Sequence, residues 1–108
     1  MRRVTVLLPF VPLIDTIGIR PTGGQSDTAY IVRTAMDAAR TLGFTSHTNA
    51  SSTDSNIPIS LGIPAITIDG GGGGGGAHSL SEWYDDGPNG WLGPQWAALV
   101  VATLAGLR

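Results

Sequence analysis

The chain has 108 residues, 42% hydrophobic and 13% charged, which allows one small folded unit and leaves no room for two. Six arginines, no lysine and eight acids give a net charge of -2, so there is no clustered basic face for nucleic acid or an anionic membrane, and no lysine for a P-loop or a Schiff base. The absence of cysteine removes disulfides, thiolate nucleophiles and cysteine zinc sites and leaves the redox compartment open. Glycine is the outlier: 16 residues, seven of them in the run 70–76.

At the N-terminus, Arg2 and Arg3 precede an apolar stretch through residue 14, a pattern shared by secretory signals, but Pro9 and Pro12 interrupt it and no small-residue cleavage site follows. The alternative is an extended segment, with Val4 to Leu8, β-branched and apolar, in a buried strand ended by Pro9. A loop over residues 21–25 leads to a helix capped by Ser26 or Asp27 and running to Leu42, closed by Gly43. Ile31, Ala35, Ala38, Ala39 and Leu42 form its apolar face; Arg33, Asp37 and Arg40 mark the other.

Residues 44–48 then predict a short strand, residues 51–54 a polar turn, residues 57–61 a short helix broken by Gly62-Ile63-Pro64, and residues 65–68 a second strand. Gly93-Pro94 opens a last helix over residues 96–107, with Gly106 near its stop. That helix is apolar almost all round and wants cover on every face. At about 12 residues it is too short to span a bilayer, which needs ~20. The alternation of helix and strand is that of a parallel or mixed α/β sheet, whose ligand sites lie at the carboxyl ends of strands.

The glycine run falls at such an end. Its length is compatible with slippage in a repetitive codon tract, and its successive N–H groups with an anion nest; no Gly-Lys-Ser follows that would make it a phosphate loop. His78 comes directly after it, where a neutral imidazole can reach a metal or a substrate. Ser79 and Glu82 have capping-box spacing, so Glu82 either bonds back to a helical turn or supports the histidine. His47, in a Thr/Ser/Asn-rich stretch, reads as exposed. No spacing among His47, Asp54, Asp69, His78 and Glu82 writes an autonomous zinc site.

The sequence Ser51-Ser52-Thr53-Asp54-Ser55-Asn56-Ile57-Pro58-Ile59-Ser60-Leu61-Gly62-Ile63-Pro64, the apolar residues 65–68, the glycines, and then Ala77-His78-Ser79-Leu80-Ser81-Glu82-Trp83 resemble the C-terminal part of the zinc exopeptidases of metallopeptidase family twenty. That family includes acetylornithine deacetylase, succinyl-diaminopimelate desuccinylase, peptidase T and glutamate carboxypeptidase. The resemblance takes in Arg20-Pro21-Thr22-Gly23 and Leu92-Gly93-Pro94, and so spans residues 18–107. It implies a piece of a three-layer α-β-α catalytic domain, a mixed sheet with helices on both faces, over residues 18–108; residues 1–17 depart from the family, as a remnant of a lid domain or an arbitrary start.

The family holds two zinc ions with a His-x-Asp motif, a bridging aspartate, a Glu-Glu pair and a late histidine, and the first glutamate activates the bridging water. His78 matches the late histidine and is implied as a zinc ligand. The other motifs are missing, and Glu82 is the only glutamate in the chain, so catalysis by this chain alone is not expected. Arg20 either binds a substrate carboxylate or anchors its loop; Asp54 and Asn56 line the site or cap a helix; Gly75 and Gly76 adjoin the substrate. The implied substrate is a small peptide or an N-acyl amino acid, in the cytoplasm. The implied partners are a second copy or the missing N-terminal half, with neither nucleic acid nor membrane. The alternative is a non-catalytic assembly module whose apolar faces meet a partner.

Overall fold

A computed structural model describes residues 12–107; the N-terminal strand or signal reading of residues 1–11 lies outside them. Residues 12–28 have no regular secondary structure apart from a turn at the end. The elements are α1 (Tyr30–Thr41), α2 (Asn56–Ser60), β1 (Gly73–Gly75), β2 (Trp83–Asp85) and α3 (Leu92–Leu104). This is a small α/β arrangement with one two-stranded sheet, β1 antiparallel to β2.

The N-cap of α1 is Ala29, not Ser26 or Asp27. The Ser26 hydroxyl instead bonds the Thr28 N–H, and the Ala29 N–H bonds the Ser26 carbonyl, so the expected cap makes a local turn before the helix. The buried face is Val32, Thr34, Ala35, Ala38 and Ala39, while Ile31 and Leu42 are half-buried. Arg33, Asp37 and Arg40 are exposed as the pattern required, Arg40 pairing with Asp37.

All three helices end in the same way. Gly43, Gly62 and Gly106 take the left-handed conformation directly after the cap residue, and the next residue bonds back: Phe44 N–H to Ala39, Ile63 N–H to Pro58, Leu107 N–H to Ala102. These are Schellman closures, and they use the glycines the sequence offered as stops. Helix α3 begins two residues before Pro94, which sits in the first turn where its missing N–H removes no helical bond.

The core is the seam between α1 and α3. Small residues Ala35, Ala38 and Ala39 let the helices approach, and Trp96 and Val100 fill the seam. The Phe44 and Trp96 rings meet edge to face, centroids 5.2 Å apart at 89°. Leu42, Ile66, Ile68 and Leu99 pack at the margin. The outer face of α3 is uncovered: Val101 is 65% and Leu104 40% exposed.

The two strands expected over residues 44–48 and 65–68 do not form. Both segments supply core residues, but neither pairs: residues 45–51 and 64–70 make no backbone–backbone hydrogen bond to any described residue. A strand is defined by its ladder, and an apolar run without a partner stays irregular. The sheet forms instead within the stretch read as a loop. Helices on both faces of a mixed sheet are therefore not what the described residues contain.

Candidate functional site

The glycine run is two structures in succession. Residues 70 and 71 lie against the start of α3, and a Cβ on Gly93 would strike the backbone of Gly70 and Gly71. Residues 73–75 are β1, in register Gly73↔Asp85, Gly74↔Tyr84 and Gly75↔Trp83. Glycine suits the end of β1 at Gly75, and Gly72 just before it, because the aromatic side chains of β2 lie on the backbone there. A Cβ at Gly75 would come within 2.8 Å of the Trp83 indole nitrogen, and one at Gly72 within 2.5 Å of the Tyr84 hydroxyl.

The Tyr84 hydroxyl lies 3.1 Å from an Asp86 carboxylate oxygen and 3.3 Å from the Gly71 carbonyl, so one donor is offered two acceptors. Its pKa is raised above the ordinary 10.0 chiefly because the hydroxyl donates to Asp86, then through desolvation and the charges of Asp86 and Asp85.

The hairpin turn carries His78. Gly76 has φ 66°, and His78 has φ 64°, the one non-glycine residue in the left-handed region among those described. The turn is held by the Ser79 hydroxyl donating to the Gly76 carbonyl (2.6 Å) and by the Glu82 N–H donating to the Ser79 carbonyl (3.2 Å). His78 is exposed, and its imidazole bonds no other described residue. Glu82 caps no helix, because residues 79–82 form a turn; its carboxylate bonds neither His78 nor any other described group. Gly75, Ala77 and Glu82 border a shallow cavity of about 390 Å³ shared with Trp83.

The remaining sequence candidates gather elsewhere, where the loop over residues 20–25 meets the turn before α2. Arg20 donates to Asp54 (2.9 Å) and toward the carbonyl and hydroxyl of Ser52 (3.3 and 3.4 Å). The Asn56 side chain donates to the Pro21 carbonyl and accepts the Thr53 N–H, each at 2.9 Å. Asn56 is thus engaged at both ends and stitches two loops together. Arg20 and Asp54 satisfy each other at the surface.

Two features here escaped the sequence reading. The Gln25 amide brackets the backbone of Ala65, donating to its carbonyl and accepting its N–H at 3.3 Å, as a neighbouring strand would. Thr67 lies 2.8 Å from the Thr53 hydroxyl and 2.7 Å from that of Ser55, joining the turn to residues 65–68. Only a run of small polar residues marks them in the sequence. A slot of about 510 Å³ is lined by the loop 23–25, by residues 46–51 and 65–68, and by Val32, Ala35, Met36 and Trp96, with exposed His47 among them.

The larger slot reaches Asn56, and the hairpin cavity reaches Gly75 and Glu82; they share no lining residue. No three His, Asp or Glu side chains among the described residues come together as a metal-holding group. Among the described residues His78 stands apart from other metal-ligating side chains, where a closed zinc site uses three or four protein ligands. No described helix is long and apolar enough to cross a membrane. The sequence matches no family model, no curated protein and no solved structure.

Proposed function

We propose that this chain is the C-terminal portion of the catalytic domain of a zinc-dependent exopeptidase or amidohydrolase, acting on small peptides or N-acyl amino acids, and that His78 is its contribution to the metal centre. The sequence resemblance supplies the family. The observation that carries the reading is the presentation of His78: an exposed imidazole, free of hydrogen bonds to described residues, held at φ 64° on the turn of a glycine hairpin. A left-handed backbone at a non-glycine residue costs about 1–2 kcal/mol in general, and histidine is, with asparagine and aspartate, among the side chains that enter this region most often.

The remaining ligands, and the glutamate that activates water, belong to the part of the domain that this chain does not contain. Its own residues hold the imidazole out from the α1–α3 core and leave one nitrogen available as a donor. Arg20 serves as a loop anchor in this reading, since Asp54 and Ser52 already occupy its guanidinium.

The test is to titrate zinc into the chain and follow both histidines by NMR. His78 ring signals should respond weakly, in the range of a single ligand, and the response should vanish in His78→Ala. A response at His47 alone, or tight stoichiometric zinc that survives His78→Ala, overturns the assignment. The assembly-module reading has one observation in its favour, the exposed aliphatic residues Leu13, Ile14, Ile17 and Ile19 ahead of α1.

A further inference from the structure

We propose that Asn89 is a self-modifying site: in the folded chain the backbone nitrogen of Gly90 displaces ammonia from the Asn89 carboxamide, and hydrolysis of the resulting imide loosens the junction between the β1–β2 hairpin and α3. This goes beyond the zinc reading and does not depend on it.

The reaction needs a neutral carboxamide and, next to it, a backbone nitrogen with no side chain crowding it. The chain has three asparagines, and Asn89 alone precedes a glycine, whose missing Cβ leaves the nitrogen open to the side-chain carbon. Asn49 is followed by Ala50, and Asn56 by β-branched Ile57, with the Asn56 amide already held by Pro21 and Thr53. Asp69 and Asp86 also precede glycines, but an ionised carboxylate is a poor electrophile, and the Gly87 N–H is engaged by Asp85 (2.9 Å). Asn89 is exposed in the turn over residues 87–91, just ahead of α3, and the Gly90 N–H donates no backbone hydrogen bond to a described residue.

The Gly90 nitrogen bonds to Asn89 Cγ, the Cγ–Nδ2 bond breaks, and the amide proton leaves with Nδ2 as ammonia. Water then opens the imide at one of its two carbonyls. Attack at Cγ gives aspartate. Attack at the main-chain carbonyl gives an isoaspartyl link, in which the chain runs through the side chain and is one methylene longer.

The surroundings separate the two products. The Asn89 carbonyl accepts the Leu92 N–H (3.0 Å) at the start of α3. Gly90 is buried: a Cβ on it would strike Asp86, and its own carbonyl occupies the space that a Cβ on Gly71 would need. Aspartate keeps this backbone and adds a negative charge near the N-terminus of α3, where the helix dipole favours it. The isoaspartyl link instead turns the carbonyl bonded by Leu92 into a free carboxylate, and its extra methylene enters a packed turn with no room for a Cβ.

The folded chain, incubated at mildly alkaline pH, is followed by fragmentation mass spectrometry. Aspartyl and isoaspartyl residues should accumulate at position 89 while Asn49 and Asn56 remain amides, and hydroxylamine, which cuts the imide, should release residues 90–108. Asn89→Gln, with an unchanged circular dichroism spectrum, should show neither on the same time scale. Conversion only after guanidinium chloride unfolds the chain, or at Asn49 or Asn56 ahead of Asn89, overturns the proposal. The isolated isoaspartyl form should melt below both the parent and Asn89→Asp, with amide shifts displaced at Gly71 and Leu92. An isoaspartyl form as stable as Asn89→Asp overturns the coupling to α3.

Discussion

The indole N–H of Trp96 donates a 2.8 Å hydrogen bond to the backbone carbonyl of Ala35, 61 positions earlier in the chain and fully inside the α1–α3 seam. One side chain thus supplies both the largest apolar group of the core and the polar bond that fixes its orientation. Trp96→Phe keeps most of the apolar contact and loses the bond, and should lower stability by about 1–2 kcal/mol. Trp96→Ala also opens a cavity and should cost about 3–5 kcal/mol. Urea denaturation followed by circular dichroism orders the three proteins; equal stability of the Phe variant and the parent would show that the bond contributes nothing.

The glycine run makes a position-by-position prediction. A side chain at Gly73 meets open space, whereas a Cβ at Gly93 collides with the backbone of Gly70 and Gly71. Gly73→Ala should be tolerated within about 0.5 kcal/mol. Gly93→Ala should destabilise by at least ~1–3 kcal/mol, because backbone and not a flexible side chain must move. Amide chemical shifts of residues 70–72 should be displaced in Gly93→Ala alone.

The Arg20–Asp54 pair and the Asn56 stitch should differ in weight. Asp54 is almost wholly exposed (97%), so a double-mutant cycle on the pair should return a coupling of about 0–1 kcal/mol that fades with added salt. Asn56→Ala leaves the Pro21 carbonyl and the Thr53 N–H without their partner and should cost about 1–3 kcal/mol. Thermal denaturation of the single variants gives the ranking.

Tyr84 should retain its proton to higher pH than an ordinary tyrosine. The fold favours the neutral phenol, so its stabilising contribution is complete below the unfolded pKa of about 10 and is lost as pH rises through the higher folded value. Phenolate absorbance should therefore show a midpoint above 10.0 for Tyr84, moving back toward it in Asp86→Asn. An unmoved midpoint in that variant would assign the shift to something other than Asp86.

His78 offers a separation of backbone from chemistry. His78→Gly should leave stability unchanged or raise it by up to about 1 kcal/mol, since glycine takes φ 64° freely, whereas His78→Val should destabilise the hairpin. Only the histidine protein should respond to zinc in the NMR titration.

The sequence by itself determined the helices and their C-terminal ends. Apolar residues spaced around Ala35, Ala38 and Ala39, and glycines at 43, 62 and 106, act within a few residues, and local sterics need no distant partner. It also singled out His78 after the glycine run, although not the left-handed backbone that presents it. Tertiary structure decided which extended segments become strands. Residues 65–68 carry the apolar pattern of a strand and remain unpaired among the described residues, while Gly73–Gly75, which no strand propensity would select, pairs with Trp83–Asp85. A ladder is a non-local agreement between two backbones, and side-chain pattern records only one side of it. The same reason kept the Gln25–Ala65 bracket and the Trp96–Ala35 bond out of view, because each joins residues that nothing local relates.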